Sequence, residues 1–252
     1  MRRLFVLAIA VVAMPMLPAQ EAKDDPKAEY AALLKELRQI QMDHAKAVQA
    51  KNKEEEAKNP GQARTAMSFD MRVGIDKVQP RFEAAAAKYA GTDGAVPFLI
   101  WLGQNTSKDK LQATLQQLVT EHVTSAELAP AIGMLLGRAR RELDATAAAE
   151  LRAKYMEKAP ADGKALLCLS DAQPALGKDP KDPVARAGVA KAIELATDAK
   201  IKARAEGVLF AADHLQEGLP VPEIEGTNLE GSAIKLTDFR GKVVLLDFWG
   251  DW

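Results

Sequence analysis

The chain has 252 residues, with 34 basic and 35 acidic side chains interspersed to a net charge of −1, so nothing in its charge predicts a nucleic-acid or acidic-membrane partner. Aromatic residues make up 5% while alanine is plentiful, a mix that favours helices over sheets. The single Cys168 excludes an internal disulfide framework and any cysteine-based metal site.

Met1-Arg-Arg3, the apolar run Leu4 to Leu17 and the exit Pro18-Ala19-Gln20-Glu21-Ala22 have the three zones of a secretory signal. The run is broken by Pro15 and is shorter than the roughly 20 residues needed to cross a bilayer. Residues 1–22 are therefore expected to be a signal peptide cleaved near Ala19. Such a chain is exported to the periplasm or cell envelope and keeps no stable membrane span. No cysteine follows the apolar core, which gives no support to a lipid anchor.

From Asp24 to Glu217 the pattern is helical almost throughout, and residues 23–217 are expected to form one α-helical domain. Asp24 or Asp25 can cap, Pro26 suits a first turn, and Tyr30, Leu33, Leu34, Leu37, Ile40, His44 and Val48 share one face. The charge run Lys51 to Lys58 reads as a solvated helix end before the breaker Asn59-Pro-Gly61. Arg64 to Val78 and Pro80 to Tyr89 make either one helix kinked at Pro80 or two helices. Ala95 to Leu102, with Phe98, Leu99, Trp101 and Leu102, is expected at the centre of the helical core. Leu111, Leu115, Leu118 and Val119 define the next stripe, and Ser125 caps a helix carrying Leu128, Ile132, Leu135 and Leu136. Asp144 opens the helix of Leu151 and Tyr155. Ala165 to Leu176, Pro183 to Thr197 and Lys200 to Gln216 complete the set. Short links make neighbouring helices antiparallel, an α-hairpin array. Lys88-Tyr89 before Asp93-Gly94 is echoed by Lys154-Tyr155 before Asp162-Gly163, but the tetratricopeptide tryptophan and glycine positions are missing. The array is either a binding surface for a peptide or partner protein or a spacer that holds the C-terminal domain.

His44, His122 and His214 fall on three different helices, with no spacing that aims two ligands at one metal; each reads as a surface or core-rim residue. Cys168 in Leu166-Leu-Cys-Leu169 reads as a small buried hydrophobe with no basic neighbour to activate it. Glycines 226, 231 and 241 match neither phosphate-binding spacing and read as turn residues. No cofactor or metal is predicted.

After Pro220-Val-Pro222 come a strand from Glu223 to Gly226, a turn at Asn228-Leu-Glu-Gly231, a strand from Ala233 to Leu236 and a turn at Thr237-Asp-Phe-Arg-Gly241. The last stretch, Lys242-Val-Val-Leu-Leu-Asp-Phe-Trp-Gly-Asp-Trp252, is apolar almost without alternation and reads as a strand covered on both faces, interrupted by Asp247. This segment resembles the strand that leads into the Asp-Phe-Trp-x-x-Trp-Cys-x-x-Cys motif of thioredoxin-fold proteins. The preceding Leu219 to Gly241 is similar to the hairpin opening the extracytoplasmic TlpA/ResA branch and the related AhpC/TSA redoxins. The resemblance covers about the last 35 residues. With the helical pattern upstream the chain is expected to be mainly α, an N-terminal α-hairpin array, and the resemblance implies that residues 218–252 are the first β-hairpin and strand of an incomplete thioredoxin-like α/β domain.

By this resemblance Asp247 holds the place of the acid that exchanges a proton with the buried motif cysteine, and Trp249 and Trp252 flank the site. The implied activity is thiol–disulfide exchange with protein thiols and disulfides as substrates and an upstream reductant as partner. The chain ends on Trp252, where the family places its first cysteine next. One expectation is that the following codon is UGA, read as a stop where selenocysteine is inserted, since a selenol is ionised at neutral pH and suits the attacking position. A fragment, a frameshift and a nonsense codon are the competing readings. Two other functions stay open: a helical peptide- or protein-binding module with an incidental redoxin remnant, and a peroxide reductase. Phe248-Trp-Gly-Asp-Trp252 favours thiol exchange over the last, because the Pro-x-x-x-Thr-x-x-Cys loop of peroxide-reducing relatives is missing.

Overall fold

The computed structural model describes residues 25–58, 70 and 72–247. The signal sequence, the Asn59-Pro-Gly61 breaker and Phe248 to Trp252 lie outside the described residues. Those described are mainly α with one two-stranded antiparallel sheet, which is the helical array and incomplete α/β part expected from the sequence. They fall into two compact units, one up to Ala90 and one from Gly91.

The first unit is an α-hairpin. Asp25 accepts from the backbone N–H of Lys27 at 2.9 Å and opens α1, Pro26–Lys58, which runs on through the charge run. The second helix, α2, spans Ile75–Lys88 without a break at Pro80, its sixth residue, which removes the one intrahelical bond that would go to the Asp76 carbonyl. Leu33 and Leu37 are buried on α1, and Val78, Phe82, Ala85 and Ala86 on α2. Tyr30 meets Phe82 edge to face at 5.9 Å. Glu29, at the start of α1, accepts from Lys88 Nζ and Tyr89 Oη at the end of α2, so the helices are antiparallel. Gly74 enters α2 with φ +84°, and a Cβ there would lie 2.6 Å from Ile40 Cγ2, so both backbone and packing require glycine.

Among the described residues the second unit stacks seven α-helices: α3 Val96–Asn105, α4 Lys108–Glu121, α5 Leu128–Glu142, α6 Ala145–Lys158, α7 Ala161–Leu176, α8 Pro183–Leu195 and α9 Ala199–His214. Asp144, Asp182 and Asp198 cap α6, α8 and α9 with side-chain oxygens that accept from first-turn N–H groups. Ser125 does not cap α5. The chain from His122 makes tight turns first, with Ser125 N–H donating to the His122 carbonyl and Leu128 N–H to the Ser125 carbonyl, and the helix begins three residues later.

Phe98, Leu111, Leu115, Leu118, Leu128, Ile132, Leu135, Leu151, Tyr155 and Leu167 are fully buried; the apolar α3 is buried but packs on α4 and α5 at the start of the stack, whereas α7, which meets α5, α8 and α9, holds the centre expected of α3. Around α7 the packing is alanine-rich: Ala165, Cys168, Leu169, Ala172 and Leu176 meet Ala185, Val189, Ala192 and Ala205 of α8 and α9. Small side chains let these axes approach, and a Cβ on Gly188 would already crowd Ala172 at 3.1 Å. Low aromatic content is thus compensated by close helix contact. Beyond α9, strands β1, Glu225–Thr227, and β2, Ala233–Lys235, form the hairpin, pairing Gly226 with Ile234.

Candidate functional site

The hairpin region is built by its turns. Asn228 Oδ1 accepts from the N–H groups of Glu230 and Ser232 at 3.1 and 2.8 Å, and Gly231 takes φ +80°. Across the sheet, Lys235 Nζ donates to Glu225 Oε1 at 2.5 Å. At the open end, Glu223 Oε1 accepts from the backbone N–H groups of Thr237 and Ile224, both at 3.1 Å. Hydrogen bonding from Thr237 holds the Glu223 carboxyl below its usual range, with smaller help from the backbone of Ile224 and Leu236. Asp238 accepts from Lys235 N–H at 2.9 Å, and Gly241, at φ +81°, turns the chain back toward the hairpin.

The run after Gly241 departs from the buried strand expected. Val243 and Leu245 are 104% and 92% exposed, while Val244 and Leu246 are 42% and 45% exposed. The alternation is that of an extended chain with one side against the hairpin and nothing over the other. It forms no ladder among the described residues. A groove of about 390 Å³ lies between the run and the hairpin, lined mainly by Ile224, Ile234, Leu236, Phe239, Val244 and Leu246. The sequence shows the hydrophobicity of a central strand; the described residues hold no neighbouring strand or helix to cover it.

Asp247 is exposed and makes no hydrogen bond or ion pair among the described residues. The desolvation that the resemblance implies at this acid is therefore not provided by the described residues. Trp249 and Trp252 lie outside them. His122 is buried at the end of α4, and its Nε2 has no hydrogen-bond partner among the described residues. His214 ends α9 with its ring 4.8 Å from that of Phe210, and His44 sits half-buried on α1. No group of three or more potential metal ligands occurs among the described residues. Cys168 is buried as expected, and burial pushes its thiol up. Basic groups do stand near it: Arg152 and Lys191 act against that rise, and only the fold brings them there.

No helix among the described residues is long and apolar enough to cross a membrane. Over 47 residues, 19% of its length, the chain is 40% identical to proteins named thiol-disulfide oxidoreductase ResA from Bacillus thuringiensis subsp. konkukian, Bacillus cereus and Bacillus anthracis. A short stretch of this chain is thus similar to thiol-disulfide oxidoreductases. The chain spans 27% of the length of the curated relatives it matches, so the similarity covers a minor part of each partner. No family model matches the chain, and no solved structure matches it.

Proposed function

We propose that residues 218–252 open a thioredoxin-like domain that exchanges thiols and disulfides in protein substrates outside the cytoplasm. The observation that carries this reading is the 47-residue stretch at 40% identity to thiol-disulfide oxidoreductases. The hairpin with its turn glycines, followed by an extended apolar run, supports it. In this reading residues 1–22 direct export to the periplasm or cell envelope, and a Cys-x-x-Cys pair, with cysteine or selenocysteine at its first position, follows Trp252. A thiolate or selenolate attacks one sulfur of a substrate disulfide and forms a mixed disulfide; the second group of the pair then attacks that bond, releasing the reduced substrate and leaving the pair oxidised. An upstream reductant restores the pair. Asp247 accepts or returns the proton of the buried group, and Trp249 and Trp252 flank the reacting atoms.

The test is dithiothreitol-driven reduction of insulin by the gene product that includes the codons after Trp252. Activity is expected, and Asp247→Asn should lower it by about tenfold or more while shifting its pH profile. A continuation without a cysteine or selenocysteine pair, or one that has the pair and does not reduce disulfides, overturns the reading.

A further inference from the structure

The helical unit contains a charged cleft that thiol exchange does not use. Arg140 of α5 and Arg152 of α6 share one carboxylate, that of Asp171 on α7. Arg140 Nη1 donates to Asp171 Oδ1 at 2.6 Å, and Arg152 Nε donates to Oδ2 at 3.0 Å. The Asp171 side chain is only 19% exposed, whereas those of Arg140 and Arg152 are 49% and 42% exposed. The carboxylate thus sits behind and the guanidinium groups in front. Each guanidinium carries five N–H donors and gives one to Asp171, so four on each are not used by that carboxylate. Two positive charges against one negative leave the cluster with one net positive charge.

Beside the arginines lies a cleft of about 380 Å³, floored by Leu136, Ala145, Ala148 and Ala149. Alanines at 145, 148 and 149, on two successive turns of α6, line this floor with methyl groups alone. The volume is at the small end for a ligand pocket and suits a short apolar group. Two guanidinium groups tethered to one carboxylate, Arg140 through Nη1 and Arg152 through Nε, bring planar N–H donors to the cleft, and such donors suit the planar acceptor of a carboxylate. One net charge suits a monoanion, and a phosphate dianion would meet repulsion from Asp171 behind the arginines.

We propose that this cleft binds a monocarboxylate carried on a short apolar group, with the carboxylate on Arg140 and Arg152 and the apolar group on the alanine floor. Two sources present that chemistry: the C-terminal residue of a peptide ending in an apolar side chain, and a free short-chain acid. Calorimetric titration of the full chain with N-acetyl-Ala-Leu as the free acid, with the same peptide as its C-terminal amide, and with hexanoate separates them. Saturable binding of the peptide acid or of hexanoate is expected, with the tighter of the two naming the source, and the amide should not bind. Arg152→Gln should weaken binding by about tenfold or more. Ala149→Leu, at an exposed helical position that accepts leucine, should abolish it while leaving the melting temperature and the arginine charges in place. The proposal is overturned if neither carboxylate saturates, if the amide binds as well as the acid, or if Ala149→Leu binds as tightly as the parent chain.

Discussion

The hydroxyl of Tyr155 is buried in the helical core without a hydrogen-bond partner among the described residues, and a Cβ on Gly163 would lie 2.5 Å from it. Burial pushes its pKa up to about 12 from the usual 10.0. A buried, unpaired hydroxyl costs stability, so Tyr155→Phe should leave the protein unchanged or raise its stability by about 1 kcal/mol in denaturant titration. Loss of more than that would reveal a partner for the hydroxyl. The sign of the pH effect is set by the direction of the shift. The unfolded chain gives up this proton near pH 10 and the folded chain near 12, so the contribution is whole below 10 and is lost as pH rises between them. Tyr155→Phe should remove that alkaline loss, and Gly163→Ala should destabilise by driving a methyl group into the ring hydroxyl. The sequence pairs Lys154-Tyr155 with Asp162-Gly163 as half of a faint repeat. It does not show that the tyrosine and glycine of that pair touch, because the contact is made across the turn between α6 and α7.

Helix positions were legible where a local rule governs them, and the ties between helices were not. Stripes at three- and four-residue spacing and the Asp144 cap give α4 to α6 from short windows of sequence. Arg138 of α5, by contrast, reaches the far end of α3, donating to the carbonyls of Gly103 at 3.0 Å and Thr106 at 2.6 Å while Glu142 holds its other edge. These are carbonyls that the end of a helix leaves unpaired, and the partners lie 35 and 32 residues away. Arg138→Met keeps the packing stem and should cost about 1.5–3 kcal/mol, read as a lower denaturation midpoint. Asp162, in the first turn of α7, does the corresponding work at the entry to α9. It accepts from the N–H groups of Thr197 and Asp198 at 2.6 and 3.0 Å and from the Thr197 hydroxyl at 2.8 Å. These bonds, that of the Asp198 backbone foremost, hold its carboxyl below the usual range. A depressed pKa means stability that is present above the unfolded value and lost as pH falls through the folded one. The gap in melting temperature between the parent chain and Asp162→Ala should therefore be open at neutral pH and close as the solution is taken below about pH 4. A gap of constant size would show that shape, rather than charge, is the contribution of Asp162.

At the scale of the whole chain, the same residues that make the C-terminal run recognisable leave it exposed. Val243-Val-Leu-Leu246 reads from sequence as a central strand because hydrophobicity records the cover a strand needs, wherever that cover comes from. Turn glycines at 231 and 241 were legible for the opposite reason: their conformation is set within four residues and needs nothing beyond the hairpin. The chain as described thus pairs a hairpin whose turns are set locally with an apolar run open on one side. Adjacent apolar side chains on an extended, unpaired backbone are a template for association between copies. Light scattering on the 252-residue chain should accordingly show association that grows with concentration. Val243→Lys with Leu245→Lys should suppress it and leave thermal unfolding of the helices unchanged, because these two side chains are 104% and 92% exposed. Charging Val244 and Leu246 instead should also disturb the hairpin, whose groove they line with Ile224 and Phe239. If the Val243 and Leu245 pair can be charged without reducing association, the sticky surface lies elsewhere, and the run does not behave as a strand awaiting its neighbours.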